Sequence, residues 1–129
     1  MTENSTKVII LLLVEDDVSL KDLLGMALSE EGFEVVMASN GTKAIAELDA
    51  NGARFKGLVT DIRLGNGPDG WDLARHAREL NGQIAVVYVA GDSVDDWPAN
   101  GVPKSVVIHK PFAEAQLLTA LSTLLTQAG

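Results

Sequence analysis

The feature that most limits what this chain can become is a regular alternation of short apolar runs with segments of helical periodicity. Val8–Val14 is an unbroken run of β-branched residues and leucine, the pattern of a strand buried on both faces. Leu20, Leu23, Leu24, Ala27 and Leu28 then recur at helical spacing until Glu31-Gly32 stops them. Phe33–Met37 predicts a second strand. Ser39-Asn40-Gly41 predicts a turn or cap before a helix with Ala44, Ile45 and Leu48 inward, closed by Asn51-Gly52. Gly57–Thr60 predicts a third strand ending at Asp61, and residues 62–70 a glycine-rich loop. Trp71–Leu80 predicts a helix, and Ile84–Ala90 a fourth buried strand. Pro98, Gly101 and Pro103 hold residues 91–104 to one short turn of helix at most. Ser105–Ile108 predicts the fifth strand and residues 112–127 the last helix, with Leu117, Leu118, Leu121, Leu124 and Leu125 in phase.

Five strands, each followed by a helical segment, imply a parallel sheet covered on both faces with right-handed crossovers. The 129 residues make one domain, expected over 7–127 behind a polar leader at 1–6. With 47% hydrophobic and 22% charged residues the chain is not a disordered one. It contains no cysteine, which excludes disulfides, thiolate zinc sites and thiol nucleophiles. The longest apolar run falls well short of the roughly 18 residues a membrane helix needs. It also ends in Glu15, Asp16 and Asp17, with no small-residue cleavage site, so a signal peptide is a poor reading. The cytoplasm is the expected compartment. A net charge of −8 argues against nucleic acid or an anionic membrane as the partner. It suits a cation or a basic protein surface.

Parallel sheets of this kind bind ligands outside the carboxyl ends of their strands. Glu15, Asp16 and Asp17 follow the first strand, Asp61 the third, Ala90 and Gly91 the fourth, and His109, Lys110 and Pro111 the fifth. Four acids and one lysine thus converge on one rim. Two carboxylates about 5 Å apart repel by roughly 3 kcal/mol at an effective dielectric of about 20, so the cluster calls for a cation. Oxygen ligands, and few of them, suit Mg²⁺ best. Taken singly, each piece has a plainer reading. Asp17 reads as a helix cap, Asp61 as turn chemistry, Asp69-Gly70 as a helix start, and Lys110-Pro111 as an ordinary strand end. Their joint order along the chain is what chance does not supply.

In these motifs the sequence resembles the receiver domain of two-component response regulators. The matching stretches are Leu12-Leu13-Val14-Glu15-Asp16-Asp17, Val59-Thr60-Asp61-Ile62-Arg63-Leu64, Asp69-Gly70 and Lys110-Pro111-Phe112. The resemblance implies an α/β, flavodoxin-like, doubly wound five-stranded parallel sheet of strand order 2-1-3-4-5. It implies that Asp61 accepts a phosphoryl group from a histidine kinase or histidine phosphotransfer protein. It further implies Mg²⁺ held by Asp16, Asp61 and the Arg63 carbonyl, with Glu15 acting through water. Lys110 would contact the phosphoryl oxygens, and the bond before Pro111 would be cis.

Two positions depart from the family pattern. Ala90 stands where the family usually places Ser or Thr, and Val107 where it often places a rotating Tyr or Phe. Ser93 is a weak substitute for the missing hydroxyl. These departures put the coupling of phosphorylation to a conformational change in question. The leading expectation is a stand-alone phosphoreceiver that signals through protein contacts or drains phosphate from a relay. The alternative is a pseudo-receiver, a binding module without productive phosphorylation. An aspartyl phosphohydrolase is disfavoured, because Asp61-Ile62-Arg63 puts arginine where the acid/base Asp of such enzymes stands. No enzymatic activity is expected beyond self-phosphotransfer and autodephosphorylation. His76 reads as a solvated surface residue and His109 as a strand-end residue. Trp97 reads equally as an exposed partner contact or as local packing.

Overall fold

The computed structural model describes residues 8–92 and 94–128. Ser93 and the expected polar leader at 1–6 lie outside the described residues. The elements run β1 (Ile10–Val14), α1 (Val18–Glu30), β2 (Glu34–Ala38), α2 (Gly41–Asn51), β3 (Phe55–Asp61), α3 (Gly70–Leu80), β4 (Ala85–Ala90), α4 (Trp97–Asn100), β5 (Ser105–His109) and α5 (Glu114–Ala128). All strand pairs are parallel and the order is β2-β1-β3-β4-β5. This is the flavodoxin-like architecture that the motifs implied.

The uninterrupted apolar runs are explained by a core on each side of the sheet. Leu11 and Leu13 point to one face with Val59, Val87 and Val89, against Leu24 and Leu28 of α1 and Leu117 and Leu121 of α5. Leu12 and Val14 point to the other with Leu58, Val86 and Tyr88, against Leu48 of α2 and Leu73, Ala74 and Ala77 of α3. Each fully buried aliphatic side chain contributes roughly 1.5–3 kcal/mol, which keeps the middle of the central strands apolar and leaves polar residues such as Lys56, Thr60 and Asp61 to the two ends of β3.

Several expectations shift in detail. β1 starts at Ile10 rather than Val8, whose side chain is 58% exposed. Leu23 is in phase with α1 but 53% exposed, because it lies at the edge of the buried stripe. Residues 94–100 hold more helix than one turn: a 3₁₀ turn, Val94–Asp96, leads into α4. Pro98 does not break α4, because it sits in the first turn, where a missing N–H costs nothing.

Trp97 proves to be a packing residue. Its Nε1 donates to Ser105 Oγ at 3.0 Å, and that hydroxyl donates to the Val102 carbonyl at 2.6 Å. The Val102 N–H in turn donates to Tyr88 Oη at 3.0 Å. His76 is not simply solvated either. Its Nε2 lies 2.6 Å from Asp49 Oδ1, tying α3 to α2. Arg78 clamps the start of β4 and the turn before β5 to α3, donating to the carbonyls of Ile84 at 2.9 Å, Pro103 at 2.5 Å and Lys104 at 3.1 Å.

Candidate functional site

Strand registry fixes the rim. Val14 pairs with Thr60 and Thr60 with Tyr88, so β1 ends there, while β3 continues to Asp61 and β4 to Ala90. Glu15, just past β1, and Asp61, the last residue of β3, are both buried there, and Asp16 is exposed. Carboxylate oxygens of these three side chains all lie within 4.8 Å of one another. Lys110, at the end of β5, reaches across the sheet. Its Nζ donates to Asp61 Oδ2 at 2.9 Å and to Glu15 Oε1 at 3.3 Å. The peptide bond that follows, Lys110–Pro111, is cis.

Local backbone bonds hold these groups in place. Lys110 N–H donates to the Ala90 carbonyl at 2.8 Å, and Ile62 N–H to the Val89 carbonyl at 3.3 Å. Thr60 Oγ1 donates to the Asp61 carbonyl at 2.7 Å. The glycine-rich loop closes on itself through Gly70 N–H to the Ile62 carbonyl at 2.8 Å. Gly70 is required by space, since a Cβ there would overlap the Asp61 carbonyl oxygen. Asp69 caps α3 in a reciprocal pair with Asp72, and Asp17 caps α1 by accepting from Leu20 N–H. Asp17 and Asp69 are therefore caps.

Burial is the main influence on Glu15 and pushes its carboxyl up to about 7. The Asp17 N–H, donating to Oε2 at 3.1 Å, and the Lys110 charge work the other way, whereas Asp61 reinforces the rise. Burial also works to lower the Lys110 ammonium. The hydrogen bond and charge of Asp61, with those of Glu15, outweigh it and hold that group above the usual lysine range. Three hard oxygen donors with one exposed member fit a small divalent cation that keeps part of its water shell, as Mg²⁺ does.

The rim carries one pairing that sequence reasoning missed. Arg63, two residues past Asp61, turns its guanidinium outward, and Nε donates to Asp92 Oδ1 at 2.8 Å. The two are 29 positions apart on different loops, so no spacing signals the contact. Asp61, Arg63, Ala90, Asp92 and Lys110 line a common cavity of about 360 Å³ at the mouth of the site. Ala90 is buried beside it and brings only a methyl group. Val107 packs against the core on the α2–α3 side of the sheet. His109 is exposed at the end of β5.

Residues 11–122 match the family model of the response regulator receiver domain. The chain belongs to that family. It is similar to the response regulator receiver protein CpdR of Brucella abortus, with 31% identity over 92% of this chain and 98% of that one. It is also similar to the sensory transduction protein RegX3 of Mycobacterium tuberculosis, with 29% identity over 92% of this chain. The chain spans about half the length of RegX3, 51%. A crystal structure of a response regulator receiver protein from Sinorhizobium medicae superposes with a TM-score of 0.91. It is 41% identical, and the match covers 95% of this chain and 98% of that one. The receiver is a signalling module of two-component systems, and in this chain Glu15, Asp16 and Asp61 form an acidic cluster at the strand ends. No described helix is long and apolar enough to cross a membrane.

Proposed function

We propose that Asp61 receives a phosphoryl group from a phosphohistidine on a sensor histidine kinase or histidine phosphotransfer protein. The observation that carries this reading is the Lys110 ammonium, 2.9 Å from an Asp61 oxygen on a rim that also holds Glu15 and Asp16. A carboxylate attacks phosphorus when the incoming negative charge is neutralised. The Asp61 oxygen forms the new O–P bond as the P–N bond to the donor imidazole breaks. The bonding pair stays on that nitrogen and, with the other ring nitrogen carrying a proton, the donor side chain leaves as neutral imidazole. Lys110 then turns from the carboxylate to the phosphoryl oxygens. Asp16, Asp61 and the Arg63 carbonyl would hold Mg²⁺, with Glu15 acting through water. When bound, the ion neutralises charge on the transferring group. Water later hydrolyses the acyl phosphate, which restores Asp61 and releases phosphate.

Such a receiver, spanning residues 7–127 and acting in the cytoplasm, signals through protein contacts or serves as a phosphate sink. A net charge of −8 supports protein partners rather than nucleic acid. No enzymatic activity beyond self-phosphotransfer and autodephosphorylation belongs to this reading. Incubation with acetyl phosphate and Mg²⁺, followed by intact mass, tests it. Uptake of one phosphoryl group is expected, and Asp61→Asn should abolish it. Equal labelling of that variant would overturn the assignment.

A further inference from the structure

The contact between Arg63 and Asp92 stands at the cavity that, among the described residues, Ala90 lines without a side-chain donor. Phosphorylation would replace the single charge of Asp61 with a group bearing nearly two charges and three acceptor oxygens. Lys110 is one donor to it. The buried Ala90 beside the cavity offers none. Arg63 opens onto the same cavity, with its guanidinium engaged by a solvent-exposed carboxylate.

We propose that the Arg63 side chain binds the phosphoryl group in place of the hydroxyl that Ala90 lacks, and that Asp92 holds it in reserve until then. This rests on the reading of Asp61 as the phosphoacceptor. The Arg63 and Asp92 side chains are 73% and 68% exposed, and an ion pair so exposed is worth little in water. A planar guanidinium fork donates two parallel bonds to phosphate oxygens with a geometry that lysine does not reproduce. A phosphoryl dianion at the bottom of the cavity therefore outcompetes a single carboxylate at its lip. The exchange releases Asp92 from Arg63. Because Asp92 begins the segment leading into Val94–Asp96 and α4, occupancy of Asp61 reaches that segment without a hydroxyl at Ala90 or an aromatic at Val107. Arg63 is thus both a ligand of the modified state and the link to the β4–α4 connection.

The experiment uses the full chain with Mg²⁺ and beryllofluoride as the phosphoryl mimic. Affinity is read by fluorescence titration, and Arg63 by its Nε–Hε NMR resonance. Phosphoryl uptake from acetyl phosphate is measured on the same samples by intact mass. R63A leaves the main-chain carbonyl in place and should weaken beryllofluoride binding by about tenfold, the loss of one charge-assisted hydrogen bond or more. R63K should recover only part of this. D92A should tighten binding, and that gain should vanish in the R63A/D92A double variant. The wild-type Nε–Hε resonance should shift on adding beryllofluoride. An unmoved resonance overturns the proposal even if R63A fails to fold. A wild type that takes up phosphoryl, with an R63A variant that binds the mimic equally well, overturns the role of Arg63 alone. A wild type that neither labels nor binds the mimic overturns the acceptor reading, and this proposal with it.

Discussion

Glu15 is only 2% exposed and carries the largest electrostatic cost at the rim, since its carboxyl is removed from water beside another carboxylate. Its value of about 7 in the folded chain, against an ordinary 4.5, makes stability depend on pH in a definite direction. Between those values the folded state keeps a proton that the unfolded state has lost, so stability falls as pH rises and levels off above about 7. The raised Lys110 value acts elsewhere. Its stabilising effect is complete below the ordinary lysine range and is lost only as pH rises through the folded value. Glu15→Gln keeps an acceptor for the Asp17 N–H and removes the charge. In chelator-treated buffer it should leave stability unchanged near pH 5 and raise it by about 1–3 kcal/mol near pH 8. Urea melts of both proteins at the two pH values check this. A variant destabilised at the higher pH would show that the Lys110 pairing outweighs the burial of the charge.

Among the elements, the loop from β3 to α3 decides where Asp61 stands. Gly65 and Gly67 adopt φ of 76° and 93°, which side chains disfavour. Gly41, at the start of α2, has no room for a Cβ beneath the Pro68 carbonyl, so the loop is seated on that helix. Gly70 has none against the Asp61 carbonyl. Gly70→Ala should push the Asp61 backbone outward. We expect a loss of about 1–3 kcal/mol from the steric overlap. Labelling by acetyl phosphate should slow on the order of tenfold, because in-line attack tolerates little misplacement. Wild-type stability and labelling in this variant would mean that the loop yields without moving Asp61. The glycines at 65, 67 and 70 were legible in the sequence as a loop, but which of them faces the acceptor was not. That choice depends on α2 and the end of β3 meeting across a fold.

At the scale of the whole molecule, both cores share the same strands, so neither helical layer has an independent support. Loss of α1 and α5 exposes Leu11, Leu13, Val59 and Val87, which belong to the sheet on which α2 and α3 also pack. Unfolding should therefore be one cooperative transition. Trp71 and Trp97 both report on the α2–α3 side, whereas circular dichroism reports on all helices. Their thermal midpoints should coincide, with or without dithiothreitol, since the chain has no cysteine. Separate midpoints would identify a layer that melts alone.

The order and kind of the five strands and of α1, α2, α3 and α5 could be read from the chain, because burial on two faces forces continuous apolar strands and burial on one face forces helical periodicity; the helical content of residues 94–100 could not. The residues of the rim could be read too. A strand in a parallel sheet delivers whatever follows its carboxyl end to the same edge, so Glu15, Asp16, Asp61 and Lys110 met as their positions required. Strand ends drifted by one or two residues, as at Val8, because propensity does not mark where ladder bonds stop. What the sequence could not hold were the side-chain contacts that join one element or loop to another. Arg63 with Asp92, His76 with Asp49, Arg78 with three carbonyls, and Trp97 with Ser105 depend on how far loops and helices reach over the sheet. Distance across a fold leaves no local period in a sequence. Packing alone decided those partners, and with them which charges at the mouth of the site are engaged.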